Sequence, residues 1–128
     1  MTVQAKIMKQ PGPDHPITVE PNPRRVRITW NGQVVADTRR ALTLHEAAYA
    51  PVQYIPRADV TMALLKRTAH ATHCPYKGEA SYYSLELKGQ RVENAAWSYE
   101  APYEAMAAIE GYLAFYPDRI SSIEETSD

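Results

Sequence analysis

The chain has 128 residues, of which 45% are hydrophobic and 23% charged, with a formal net charge of −1. That length suits one domain with one core, and that charge excludes a general attraction to nucleic acid or an anionic membrane. One cysteine excludes an internal disulfide, and no apolar run reaches the ~20 residues of a membrane-spanning helix.

The N-terminal MTVQAKIMKQPGPDHP lacks the apolar core of a signal peptide, so the expectation is a cytoplasmic protein. Prolines at 11, 13, 16, 21 and 23 forbid a long regular element, so residues 1–25 read as an extended arm. Ile17 and Val19 are its expected anchors, and His15 reads as a solvent-facing loop residue. Residues 26–120 read as a single globular domain and residues 121–128 as a polar, frayed tail.

VRITW (26–30), Asn31-Gly32 and QVVAD (33–37) read as a hairpin closed by a type I′ turn, with Val26, Ile28 and Trp30 on the buried face. Arg24, Arg25, Arg27, Arg39 and Arg40 are scattered over a turn and strand ends, which suits a solvated rim better than a nucleic-acid groove. ALTLHEAAY (41–49) and VQYI (52–55) read as short strands. Asp59 then precedes VTMALLKRTA, where helical spacing predicts a helix of two to three turns with Asp59 as its N-cap. EASYYSLEL (79–87), Lys88-Gly89-Gln90 and RVENAAWSY (91–99) read as a second hairpin. A three-residue turn there sets Tyr82 opposite Ala96 and puts Tyr82 and Trp97 on different faces, unless a bulge shifts one strand. YEAMAAIE (103–110) reads as a short helix with Met106 and Ile109 inward, and YLAFY (112–116) as an interior strand. The sum is an α+β fold, mainly β, of small antiparallel sheets with two short helices.

Chemistry concentrates in THCPYKGEASYY (72–83), which holds the only cysteine and three of the nine tyrosines. His70, His73 and Cys74 are potential metal ligands, but no CxxC pair or second cluster completes a zinc site, so no metal and no cofactor is expected. Cys74 beside Lys77 and His73 has the neighbours a nucleophilic thiol needs, and it also suits a small packed residue. Lys77-Gly78 lacks the rest of a phosphate loop. Asp59, Glu46 and Glu79 could supply carboxylates for acid–base work. The tyrosines suit a half-wet cavity and also ordinary strand faces.

YIPRADV (54–60), THCPYKG (72–78), ASYY (80–83), AAWSYEAP (95–102) and GYLAFY (111–116), in that order, resemble the family called domain of unknown function 427. The resemblance runs from about Val26 to Arg119. It implies a fold of the β-tent kind, with sheets leaning together over a cleft. Some relatives of that fold bind zinc through paired CxxC motifs, which are absent here. Some classifications give the family a nucleotidyltransferase-like label, but neither a phosphate loop nor a clustered carboxylate pair accompanies it in this sequence. The motif positions are Arg39, Glu46, Tyr54, Pro56, Asp59, Cys74, Lys77, Gly78, Tyr82, Trp97 and Tyr99; the family assigns them no roles, and all but Pro56 and Gly78 are the nine expected ligand-binding residues.

These readings converge on a domain that binds a small organic ligand, with an anionic group met by Lys77, in a cleft walled by Tyr54, Tyr82, Trp97 and Tyr99. An enzyme acting on such a ligand through Cys74, Lys77 or Asp59 is the first alternative. A protein-interaction module, or self-association into a homo-oligomer, is the second. No nucleic-acid or membrane partner is expected.

Overall fold

The structure is a computed structural model that describes residues 7–127. The arm's residues 1–6, and Asp128 of the tail, lie outside the described residues. The fold is mainly β, with ten strands in three antiparallel sheets among the described residues. The first sheet has the order β1 (Ile17–Asn22), β4 (Ala41–Glu46), β5 (Val52–Tyr54). The second has the order β10 (Ser122–Thr126), β2 (Arg25–Trp30), β3 (Gln33–Thr38). The third has the order β6 (Leu65–Cys74), β7 (Gly78–Leu87), β8 (Gln90–Ser98), β9 (Leu113–Phe115).

Two backbone bridges tie the sheets together. Ile55 and Leu113 exchange both N–H···O bonds, at 2.8 and 2.9 Å, which joins the end of β5 to β9. Ala36 of β3 bridges Val60, and the Thr61 N–H reaches Val35 O at 2.7 Å. Two buried layers result. One packs Val26, Ile28, Trp30 and Val35 against Tyr83, Leu85, Leu113 and Phe115. The other packs Leu44 and Tyr54 of the first sheet against Ala80, Tyr82, Tyr99 and Ala114, with Met106 and Ile109 closing it. Both Met106 and Ile109 point inward, as their spacing predicts.

Several local expectations hold. Asn31 and Gly32 both have positive φ, at 49° and 75°, and join β2 to β3. Val26, Ile28 and Trp30 are buried, and β9 is buried throughout. The extended arm packs as β1 on β4, with Ile17 and Val19 half-buried against the Leu44–Tyr54 layer.

Other expectations are corrected. The helix of two to three turns expected after Asp59 is reduced to a single 3-10 turn. Two 3-10 turns, Arg57–Asp59 and Met62–Leu64, lead directly into the ten-residue strand β6. The run from Val60 has helical spacing, but β6 pairs with β7 through Leu65–Arg67 and again through Ala71–Cys74, on either side of an irregularity, and that ladder overrides a short stretch of helical pattern. Asp59 caps nothing; it is the last residue of its turn. The second expected helix is a 3-10 segment, Glu104–Ile109, kinked at Met106. The C-terminal tail is not frayed, because Ser122–Thr126 pairs with β2 as β10.

The register of the second hairpin is also corrected. Its turn has two residues, Lys88 and Gly89, both at positive φ, so Leu87 faces Gln90. One residue fewer in the turn reverses the face of every side chain on the return strand. A bulge at Asn94, itself at φ 49°, then slides β8 so that Trp97 lies opposite Tyr82. The two rings therefore share a face.

Candidate functional site

A cavity of about 290 Å³ opens where the three sheets meet. β5 contributes Val52 and Gln53, β8 and β9 contribute Trp97 and Phe115, and β2 and β10 contribute Ile28, Ile123 and Glu125. Pro51 and Pro117 complete the rim. Both prolines sit beside strand ends, where a missing N–H leaves no ladder bond unmade. The walls are apolar apart from one carboxamide and one carboxylate. Trp97 is held in place rather than free to turn. Its Nε1–H donates to the Tyr54 hydroxyl at 3.2 Å, and its ring lies 4.5 Å from that of Tyr116. Tyr54 is 2% exposed, and burial raises its hydroxyl pKa far above the ordinary tyrosine value.

Lys77 lies elsewhere. Gly78, at φ 108°, turns the chain so that the Lys77 carbonyl accepts the Tyr103 N–H at 3.0 Å and the Lys77 side chain runs inward. The residue is 7% exposed. Its Nζ donates to Glu46 Oε1 at 2.5 Å and lies 3.7 Å from Cys74 Sγ and 5.8 Å from the centre of the Tyr99 ring. Glu46 Oε2 bonds His15 Nε2 at 2.8 Å, and the His15 ring stacks on Tyr76 with centroids 4.1 Å apart. Burial would raise the Glu46 pKa, but the bonds from Lys77 and His15 outweigh it and hold the carboxyl below its ordinary value. His15 is thus a partner of a buried ion pair and not a solvent-facing loop residue.

The structure brings seven of the nine sequence-read site residues to one region. Glu46, Tyr54, Cys74, Lys77, Tyr82, Trp97 and Tyr99 surround the layer between the first and third sheets. Of these, Trp97 lines the cavity. Tyr82 instead bonds Thr72 Oγ1 at 2.8 Å and packs its ring 4.5 Å from that of His70. Tyr99 is buried, and burial followed by nearby Tyr54 raises its hydroxyl pKa beyond the usual range. Arg39 is exposed on the turn between β3 and β4. Asp59 accepts from Thr38 Oγ1 at 2.6 Å and pairs with Arg40 at 3.0 Å, and it is not among the residues of this layer.

His70, His73 and Cys74 do not converge. His70 faces Tyr82, His73 bonds Glu79 and the Tyr103 hydroxyl, and Cys74 faces Lys77. Among the described residues no group of three or more His, Cys, Asp or Glu side chains is placed to hold a metal ion.

The family model described as "Domain of unknown function (DUF427)" matches residues 18–126. The chain belongs to that family. No curated protein matches it. The DUF427 match begins within β1 and ends at the last residue of β10, so both terminal strands belong to the matched unit. In this DUF427 chain the cavity draws on residues that sequence reading passed over: Gln53, Phe115, Ile123 and Glu125. Alternation along SIEET offered one signal, since Ile123 and Glu125 lie two apart and share a strand face. Nothing in the sequence places that strand beside β2.

Proposed function

We propose that this DUF427 domain binds a small, planar, uncharged organic molecule in the cavity between its three sheets. The cavity itself carries the reading: a volume of about 290 Å³, walls of Trp97, Phe115, Ile28, Val52 and Ile123, and two polar groups at one side. Pockets for organic ligands run from roughly 300 to 1,000 Å³ and are mostly apolar with a few placed polar groups. This one is at the small end, which suits one or two fused rings.

The anionic ligand expected from the sequence loses its support. Lys77 is absent from the lining, and its charge faces Glu46. Among the described residues Glu125 is the one charged residue of the lining, and it repels an anion. The enzymatic alternative is also weakened, because Lys77 and Asp59 are both held in ion pairs.

Nuclear magnetic resonance of the two tryptophan indole N–H groups tests the reading. Titration with aromatic fragments should shift the Trp97 signal saturably and leave buried Trp30 unmoved. Replacing Val52 with Trp should fill the cavity and abolish the shift. If a broad set of one- and two-ring fragments at millimolar concentration leaves Trp97 unmoved, the cavity is not a binding site.

A further inference from the structure

The two polar lining residues are held by a third that is itself buried. Asn22, at the end of β1, is 8% exposed. Its Oδ1 accepts the backbone N–H of Arg24 at 3.0 Å. A backbone N–H can only donate, so this bond fixes which end of the Asn22 carboxamide is oxygen. Nδ2 therefore points the other way, and it donates to Gln53 Oε1 and to Glu125 Oε1, each at 2.9 Å. Gln53 Oε1 takes a further bond from Thr43 Oγ1 at 2.9 Å.

The orientation passes along the chain of bonds. With Oε1 committed to Asn22 and Thr43, Gln53 keeps Nε2 as a donor with no partner among the described residues. Glu125 has Oε1 on Asn22 and keeps Oε2 as an acceptor, again with no partner among the described residues. One buried asparagine thus holds half-buried Gln53 and exposed Glu125, a donor and an acceptor, side by side at the edge of an otherwise apolar cavity whose wall is an indole ring.

Resting on the reading that the cavity binds a planar molecule, we infer that its ligand is a lactam heterocycle, a flat ring with an N–H beside a C=O. The ligand carbonyl accepts from Gln53 Nε2, and the ligand N–H donates to Glu125 Oε2. The second bond is charge-assisted and is the stronger of the two. The ring face packs on Trp97. A hydrocarbon of the same shape makes neither hydrogen bond, and a carboxylate meets Glu125 charge to charge.

Four probes of one shape separate the possibilities: 2-quinolinone, its N-methyl derivative, naphthalene and quinoline-2-carboxylate. Their dissociation constants are read from the Trp97 indole signal of the unaltered protein. 2-Quinolinone should bind at least about tenfold more tightly than the N-methyl compound, the worth of one charge-assisted hydrogen bond. Glu125→Ala, checked for folding by thermal melt, should erase that preference. Equal binding of 2-quinolinone, its N-methyl derivative and naphthalene overturns the lactam inference and leaves cavity binding standing. Preference for the carboxylate overturns it as well. Binding of none of the four to the unaltered protein removes the cavity reading and the lactam with it.

Discussion

Lys77 has almost no water around it, and its ammonium group is tolerated there because Glu46 faces it. Removing one member of a buried pair leaves the other charge unpaired, which is worse than removing both. Lys77→Met should therefore destabilise the domain by about 3 kcal/mol, the low end of the buried-pair range, since Glu46 keeps some contact with solvent. The double variant Lys77→Met, Glu46→Leu should cost less than that single change in urea denaturation, and a larger cost would refute the pairing. The pair also sets a pH dependence. The folded-state pKa of Glu46 is depressed, so its contribution is fully present above the unfolded-state value of about 4.3. It is lost as pH falls through the lower folded value. Urea titrations across the acid range should show Glu46→Gln less acid-sensitive than the parent.

At the scale of elements, two irregularities decide where side chains go. Asp59 sits in a 3-10 turn, yet its carboxylate reaches back to the buried Thr38 hydroxyl and to Arg40. Asp59→Ala leaves that hydroxyl without its acceptor and should cost roughly 1–3 kcal/mol. In a double-mutant cycle with Thr38→Val the two costs should be strongly non-additive; independent costs would show that the bond contributes nothing. The second irregularity is the Asn94 bulge, where the backbone N–H of Asn94 donates to Ser84 Oγ and its Oδ1 accepts from Thr68. Asn94 adopts positive φ, a conformation that asparagine tolerates and β-branched residues do not. Asn94→Val should lower stability by about 1–2 kcal/mol. It should also displace the Trp97 indole resonance, because the bulge sets Trp97 opposite Tyr82. A Trp97 signal unchanged by this substitution would disconnect the bulge from the cavity.

For the whole molecule, the C-terminal strand joins stability to the candidate site. β10 pairs with β2 from Ser122 to Thr126, and it brings Ile123 and Glu125 to the cavity. Truncation after Ser121 removes a paired strand and one wall together. The melting temperature should fall by at least about 5 °C, which corresponds to roughly 1 kcal/mol in a domain near this size. Aromatic fragments should no longer shift Trp97. A truncated chain with the parent's melting temperature would mean that the strand is dispensable, as a frayed tail would be.

What the sequence by itself determined is local. Asn31-Gly32 determined a type I′ hairpin because few residue pairs accept two positive φ angles in succession. Alternation buried Val26, Ile28 and Trp30 together, and the order of short motifs carried the family. The clustering of Glu46, Tyr54, Cys74, Lys77, Tyr82, Trp97 and Tyr99 in one region was legible through that family resemblance and not through spacing. Tertiary structure alone decided the rest. Leu65, Lys66 and Arg67 are strand because β7 offers them a ladder of hydrogen bonds, which no local pattern reveals. Trp97 shares a face with Tyr82 because a turn one residue shorter than expected reverses the parity of the return strand. The cavity exists because β10, the last strand in the chain, returns to β2 and sets Glu125 beside Asn22, 103 residues away in sequence. A bond across such a separation depends on how three sheets close on one another, and that closure is set by the packing of the whole core.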